Sequence, residues 1–581
     1  MLLSKLQFIN PSAKKIFNCG NKYLNWQAIR KQNAKPLEVN SDIDSPSQSK
    51  SSNIGVGVTS DNKEVNVYPT VTRVVPMLLR DKDPIVLPFD EVPGPKSLKY
   101  LSVFRNYISE IGTQMTANFL TFGLNIGTLL NSRKQIRDLS TLFDEYGPVV
   151  RFVSPLGGDI VLINHPDHIQ KVFNMEGEYP VRSTLESLER YRTEHKNHAY
   201  AGIYTVHGQE WLRQRSVMYN PAHTTVTEHA QGVFDICEKF TQKIYNTRNY
   251  QDEISKDLYK ELHKWAFDCM GLITFSKKFQ LLDTELIYSQ CDPSWMYHSL
   301  DKATDAIIKC ETGLHLWKFF TTPAWYSLVK YCDILDSLIG KYVLEAEQDL
   351  SINAQDDGGK YPYSLASAML LSENKFKTED IATILMDMLL IGVNTITTSM
   401  SFLLYNIATH QKCQRQLYQE IGNLNEDTIV KGVSKLKENT PYLQACIKET
   451  LRLVPPIPLL TRILSRNITL DGYNIPRGTL IIMSSRDASL KESNYDHASI
   501  FYPERWLKAD CKEYHAFASI PFGFGARKCV GQNIAETMLS LLAIRVLQKY
   551  KLEYHYGEVQ PTRSFIVRPN RPLKIRFIDR I

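Results

Sequence analysis

The stretch of this chain with the most evident chemistry is PFGFGARKCVGQ, residues 521–532, where a cysteine sits among glycines and two cations just ahead of a helical pattern. A thiolate is both a nucleophile and a soft metal ligand, and its protonation state decides its reactivity. The following window, VGQNIAETMLSLLAIRVLQKY (530–550), places Val530, Ile534, Met538, Leu541, Leu542 and Leu547 at helical spacing. Cys529 is therefore predicted at a helix N-terminus, where the helix dipole, free backbone N–H groups and Arg527 favour the anionic sulfur. No other Cys or His accompanies it at zinc spacing, which leaves a nucleophile or a single axial metal ligand. The glycines do not form a nucleotide loop: GFGARK lacks the third glycine of GxGxxG, and no GxxxxGK[ST] occurs.

Three further groupings matter. ETLR (449–452) puts Glu449 and Arg452 on one helical face. FYPERW (501–506) carries Arg505, and HGQEWLRQR (207–215) sets Trp211 and Arg215 one turn apart. Read singly, ETLR is a routine surface pair and the WxxxR segment an amphipathic helix with a buried Trp. Taken with FxxGxRxCxG, formed by Phe522, Gly525, Arg527, Cys529 and Gly531, they resemble the cytochrome P450 family over roughly residues 88–581.

That resemblance implies a mainly α fold with a small β domain, holding haem b between a long central helix and the cysteine loop. It makes Cys529 the proximal iron ligand, a thiolate that pushes electron density toward O–O cleavage. Phe522 would pack beside the sulfur, and Gly525 and Gly531 would let the backbone approach the porphyrin. Arg527, Arg215 with Trp211, and Arg462 of PLLTRILS would meet the haem propionates. Glu449, Arg452 and Arg505 would form a network supporting the haem loop.

The long central helix falls on TEDIATILMDMLLIGVNTITTSMSFLLYNIATH, 378–410, with Thr378 as its N-cap. Its length would suit a membrane span, but Asp387, Asn394 and several threonines favour a buried core helix. In the family, an Ala/Gly-Gly-x-acid-Thr sequence here delivers protons. This chain reads IGVNT: Gly392 and Thr395 agree, Asn394 replaces the acid and Ile391 replaces the small residue. The resemblance thus assigns proton delivery to Thr395 and Asn394. Asn394 would order water rather than ionise, and Ile391 would narrow the pocket.

The organisation of the chain agrees with one large enzyme. Its 581 residues are 43% hydrophobic and 22% charged, a globular composition. The ten cysteines are scattered without CxxC pairs, which points to a reduced intracellular compartment. Residues 1–37 carry seven basic side chains and no acid, and removing them leaves 61 basic against 62 acidic residues. The net charge of +6 therefore belongs to this leader and argues for no nucleic-acid partner. Such a leader reads as a mitochondrial presequence, or else as a disordered basic tail. A Ser/Asp/Asn-rich linker is expected over 38–87, with LPFDEVPGPK (87–96) as a stiff entry to a catalytic domain at 88–581. VVRFV and DIVLINHP (149–166) read as a hairpin, and MTANFLTFGLNIGTLL (115–130) as a core helix rather than a membrane dip.

The leader, the absence of an 18-residue apolar anchor, and the phrases EYPVRSTLESLERYR (178–192) and YLQACIKETLRL (442–453) resemble the mitochondrial clan of the family, of invertebrate type. Membership implies a monooxygenase on the matrix side, peripherally associated with the inner membrane. Its electrons would come from a two-iron two-sulfur ferredoxin and ferredoxin reductase, and its substrate would be a lipophilic small molecule, steroid-like or xenobiotic. Lys448 agrees with a ferredoxin contact of the clan, whereas Gln444 and the pair Gln532-Asn533 depart from it. Lys448, Lys528, Arg545 and Lys549 remain as docking cations. The altered IGVNT segment keeps open a reductant-independent isomerase or dehydratase, and a non-catalytic haem binder is the third reading.

Overall fold

Alternation of side chains along short apolar strands buries both faces of a four-stranded sheet. The strands are β1 (Val149–Phe152), β2 (Ile160–Ile163), β3 (Leu459–Ile463) and β6 (Leu480–Ser484), in the order β1-β2-β6-β3. β1 and β2 pair antiparallel, with Val149 opposite Ile163; β2 runs parallel to β6, and β3 antiparallel to it. Val150, Phe152, Ile160, Leu162, Leu480 and Ile482 pack into one cluster, while Val149, Val161, Ile163, Ile481 and Met483 pack into another. Burial on both faces is why these strands read as continuous apolar runs. Two-stranded sheets, β4 (Ile468–Leu470) with β5 (Tyr473–Ile475) and β7 (Tyr550–Glu553) with β8 (Arg576–Asp579), complete the β structure among the described residues.

This computed structural model describes residues 86–95, 139–153, 159–254, 257–283, 292–312, 315–353, 363–372, 376–507, 513–562 and 564–580. The chain divides into two units, Met1–Arg80 and Asp81–Ile581, and every described residue belongs to the second. The leader at 1–37, the linker up to residue 85 and the helix expected at 115–130 lie outside the described residues. Leu87 is already tied to Gly472 and Asn474 by backbone hydrogen bonds.

The main core is helical. Its long elements are α1 (Gly208–Glu228), α2 (Ala230–Thr247), α3 (Leu258–Phe275), α4 (Asp292–Glu311), α5 (Pro323–Asn353), α6 (Thr378–Thr409), α7 (Pro441–Leu453) and α8 (Gln532–Lys549). A mainly α architecture with a small β domain is thus what the residues form. α6 packs against α3, α5, α7 and α8. It is the one described helix long and apolar enough to cross a membrane, yet 78% of its most apolar window is buried inside the fold. A helix apolar on all sides needs such a surround. Its N-cap is Lys377 rather than Thr378, without a side-chain cap; Glu379 and Asp380 in the first turn complement the dipole instead.

α7 carries a buried ionic network. Arg452 donates to both oxygens of Glu449, Nε to Oε2 at 2.9 Å and Nη2 to Oε1 at 2.8 Å. Arg505 Nε adds a bond to Oε1 at 3.0 Å, the Tyr502 amide another at 3.1 Å, and Trp506 Nε1 donates to Oε2 at 2.9 Å. Arg452 Nη1 also donates to the carbonyls of Ser489 and Ala498, each at 2.7 Å, so the ions pin the 489–506 segment onto α7. Breaking a buried pair strands its partners, typically at about 3–5 kcal/mol. Glu449→Gln should lower stability by about that amount in urea unfolding; a loss within the error of the measurement would show that the backbone carbonyls alone hold both arginines.

Candidate active site

The cysteine loop is a tight turn closed by its own backbone. Cys529 N donates to Phe522 O at 2.9 Å and Lys528 N to Gly525 O at 3.1 Å. Gly525 has φ +71°, and a Cβ there would lie 2.3 Å from Glu176 Oε1. Backbone conformation and Glu176 each favour glycine there. At Gly531 an added Cβ would meet nothing within 4 Å, so this backbone does leave room for one.

Cys529 opens on an interior cavity of about 760 Å³. Phe522, Arg527, Cys529, Gly531, Ile534 and Leu539 line it from the loop and α8, Ile391, Gly392 and Thr395 from α6, and Trp211 and Arg215 from α1. The other six described cysteines are all buried, so Cys529 is the one with an accessible sulfur among them. That accessibility is to the cavity; burial still pushes its thiol up, against the pull of the Gly531 N–H and of Arg215 and Arg182. The helix proper begins three residues later, at Gln532, with Gly531 in the N-cap position.

Five arginines line the same cavity, and four of them, Arg182, Arg215, Arg462 and Arg527, lie close enough to act on one another. Arg527 is braced by Pro180 O and Val206 O, both at 3.0 Å, and its guanidinium lies 4.0 Å over the Trp211 ring. Burial, then Arg182, Arg462 and Arg215, push it down to about 8. Burial, Arg527 and Arg182 likewise push His207 down to about 3, and its neutral Nδ1 accepts from Arg527 Nη2 at 3.1 Å. Glu176, 2.5 Å from Arg462 Nε, is the only carboxylate paired with any of the four among the described residues. Arg527 Nη1 and Arg182 Nε are buried without a hydrogen-bond acceptor. The four cations thus converge with one directly paired carboxylate among the described residues.

One sequence expectation changes. Thr395 lines the cavity, its hydroxyl donating to Ile391 O at 3.0 Å and Gly392 O at 3.1 Å, but Asn394 does not. Successive helical residues point about 100° apart, and Asn394 is buried against α4. Its amide donates to Thr304 Oγ1 at 3.1 Å and Leu390 O at 2.9 Å, and its carbonyl accepts from Arg568 Nη2 at 3.3 Å. The sequence reading also missed a buried pair over the cavity: Arg192 Nη2 lies 2.8 Å from Asp387 Oδ1, and Tyr204 N donates to Asp387 Oδ2 at 2.9 Å. Arg182 and Glu311 of the cavity wall were missed as well.

The cytochrome P450 family model matches residues 118–577. The chain belongs to the cytochrome P450 family. It is 27% identical over 501 residues to probable mitochondrial cytochrome P450 301a1 of Drosophila melanogaster, covering 84% of this chain and 87% of that one. It is 28% identical over 458 residues to cytochrome P450 CYP12A2 of Musca domestica, covering 75% and 84%. Identity is 27% over 456 residues to the mitochondrial 1,25-dihydroxyvitamin D(3) 24-hydroxylase of Rattus norvegicus, covering 77% and 85%.

Cytochromes P450 are monooxygenases that bind haem b, its iron held by a cysteine thiolate. The site suits that cofactor. An arginine cluster with unpaired N–H donors matches the charge of two propionates, and the apolar walls from Phe522, Ile534 and Leu539 suit a porphyrin face.

The loop around Gly202 provides a test of this P450's cavity wall. Gly202 has φ +88°, and a Cβ there would lie 2.5 Å from Arg192 Nη1 and 2.7 Å from Asp387 Oδ2. A left-handed L-residue costs about 1–2 kcal/mol before any clash. Gly202→Ala should therefore lower the melting temperature clearly; an unchanged value would show that the 201–206 loop can shift without disturbing the buried pair.

Proposed function

We propose that this chain is a mitochondrial haem-thiolate monooxygenase. On this reading it inserts one oxygen atom of O₂ into a lipophilic substrate, steroid-like or xenobiotic, using electrons from a two-iron two-sulfur ferredoxin and its ferredoxin reductase. The observation that carries the proposal is the convergence of the Cys529 thiol, the arginine cluster and Thr395 on one cavity. Cys529 is assigned as the iron ligand and Phe522 as its packing neighbour. Arg215, Arg527 and Arg182 would hold the propionates, with Trp211 as the platform under Arg527. Arg462 contributes charge while tied to Glu176. Glu449, Arg452 and Arg505 support the loop. Haem, when bound, supplies O₂ binding and one-electron chemistry that the thiolate tunes.

The chain's own residues do the rest. Ile391, Ile396 and Phe565 line the cavity with apolar surface that excludes water, and Thr395 presents a hydroxyl able to hold or pass a proton at Oγ1. Asn394, turned into the α4 interface, positions α6 instead of joining that relay. Of the two departures in IGVNT that motivated an isomerase reading, only Ile391 faces the cavity.

The mitochondrial assignment is supported by the cationic leader and by the names of the Drosophila and rat relatives. The rat relative's name, a hydroxylase of a dihydroxyvitamin D, supports a lipophilic substrate. Peripheral inner-membrane association belongs to the same reading. For the ferredoxin, Lys528 is exposed beside Cys529, and Lys448 is exposed with its ammonium 3.9 Å from the Trp506 ring. Arg545 and Lys549 both pair with Glu238, which weakens their claim as docking cations.

The test is turnover of a sterol and xenobiotic panel by the haem-loaded protein with ferredoxin, reductase and NADPH. O₂ and NADPH should be consumed with product. Thr395→Ala should divert electrons to peroxide and lower product per electron, whereas Asn394→Ala should lower stability and leave that ratio within about twofold, because general acid–base assistance of 10²–10⁴ is then not at stake. Product formed without O₂ or reductant would refute the proposal.

A further inference from the structure

The cavity holds a carboxylate that the oxygenation reading leaves without work. Glu311 is the last residue of α4, is 8% exposed, and lines the cavity. Oε1 is fixed by Ser187, accepting from the backbone N–H at 2.8 Å and the hydroxyl at 2.6 Å. Oε2 has no hydrogen-bond partner and no cation at ion-pair distance among the described residues. Neighbouring charges are engaged elsewhere: His315 and Lys318 pair with Glu186, and Arg192 pairs with Asp387, another carboxylate of the cavity wall. Asp487, also on the wall, accepts from Ser484 Oγ at 2.5 Å.

A buried carboxylate costs folding free energy unless its oxygens are satisfied. Ser187 satisfies one oxygen and holds the group still, leaving the other toward an otherwise largely apolar space. Burial correspondingly pushes Glu311 up to about 6, against the Ser187 donors. Ser183, Thr184 and Thr312 line the same cavity and add polar atoms to its wall.

We infer that Glu311 is a specificity-determining residue that anchors the hydrogen-bond-donating end of a lipophilic substrate, a hydroxyl or an ammonium group. The inference rests on the monooxygenase reading of the same cavity and sharpens its substrate class: a molecule with a donor at one end and a hydrocarbon body presented for oxidation. The alternative, that Glu311 only tethers the Glu186–Arg190 helix through Ser187, predicts no discrimination among ligands.

The experiment titrates the full-length haem-loaded protein with androstanol, aminoandrostane and methylandrostane, read by calorimetry and by the Soret band. At least one donor-bearing probe should bind about tenfold tighter than the methyl probe, the scale of a hydrogen bond to a charged group. Glu311→Leu should erase that preference. Glu311→Gln, which keeps an acceptor and removes the charge, separates the two donors: an alcohol preference should survive it and an amine preference should not. Should the leucine variant fail to fold, an amine preference is decided by its loss in the glutamine variant, and an alcohol preference by Glu311→Ala, which should erase it. Equal binding of all three probes by the parent, or an unchanged preference in Glu311→Leu, overturns the inference. The ferrous carbon monoxide spectrum of the parent is read alongside; lack of a thiolate-type band would count against the monooxygenase reading, whereas the calorimetric preference tests Glu311.

Discussion

Four guanidinium groups forced together at one buried wall set the terms for the rest of this molecule. Burial first, and then repulsion from Arg182, Arg462 and Arg215, drives Arg527 down to about 8, and Glu176 neutralises only one of the four directly. Such a cluster is sustained by bracing: Trp211 under Arg527, the Pro180 and Val206 carbonyls beside it, and a His207 kept neutral so that it can accept. The unused donors call for an anionic group, and the two carboxylates of haem b have the matching charge. The cost of gathering these cations is understandable only in a protein that binds an anion there.

Around that wall the fold acts as a clamp. α6 passes through the core and presents Thr395 and Ile391 to the cavity, and the turn at 522–529 presents Cys529 to it. Neither would hold its place by local propensity. α6 is fixed by burial on nearly every face, and the segment leading to the turn by the Glu449–Arg452–Arg505 ions. Trp506 joins that network to the exposed Lys448.

What the sequence revealed, and what it hid, follows from how far apart the partners lie. The hairpin at 149–163, the long central helix and the ETLR pair are near-neighbour patterns, where period or spacing is itself the physics. Arg192 with Asp387, Arg182 in the cavity wall, and Ser187 with Glu311 bridge distant segments, and no local pattern announces them. The one reversal is instructive in the same way. Asn394 is adjacent to Thr395 in sequence, but the helical turn sends it to Thr304 and Arg568. Periodicity reports neighbours on an element; it does not report which element packs against which face.

The central claim is that Cys529 delivers a thiolate to the haem iron within this arginine-lined cavity. Its most direct test is the ferrous carbon monoxide spectrum of the purified protein beside that of Cys529→Ser. The account predicts the red-shifted Soret band of thiolate ligation in the parent and its loss in the variant; an unshifted band in the parent, or a red-shifted band that survives in Cys529→Ser, would contradict it.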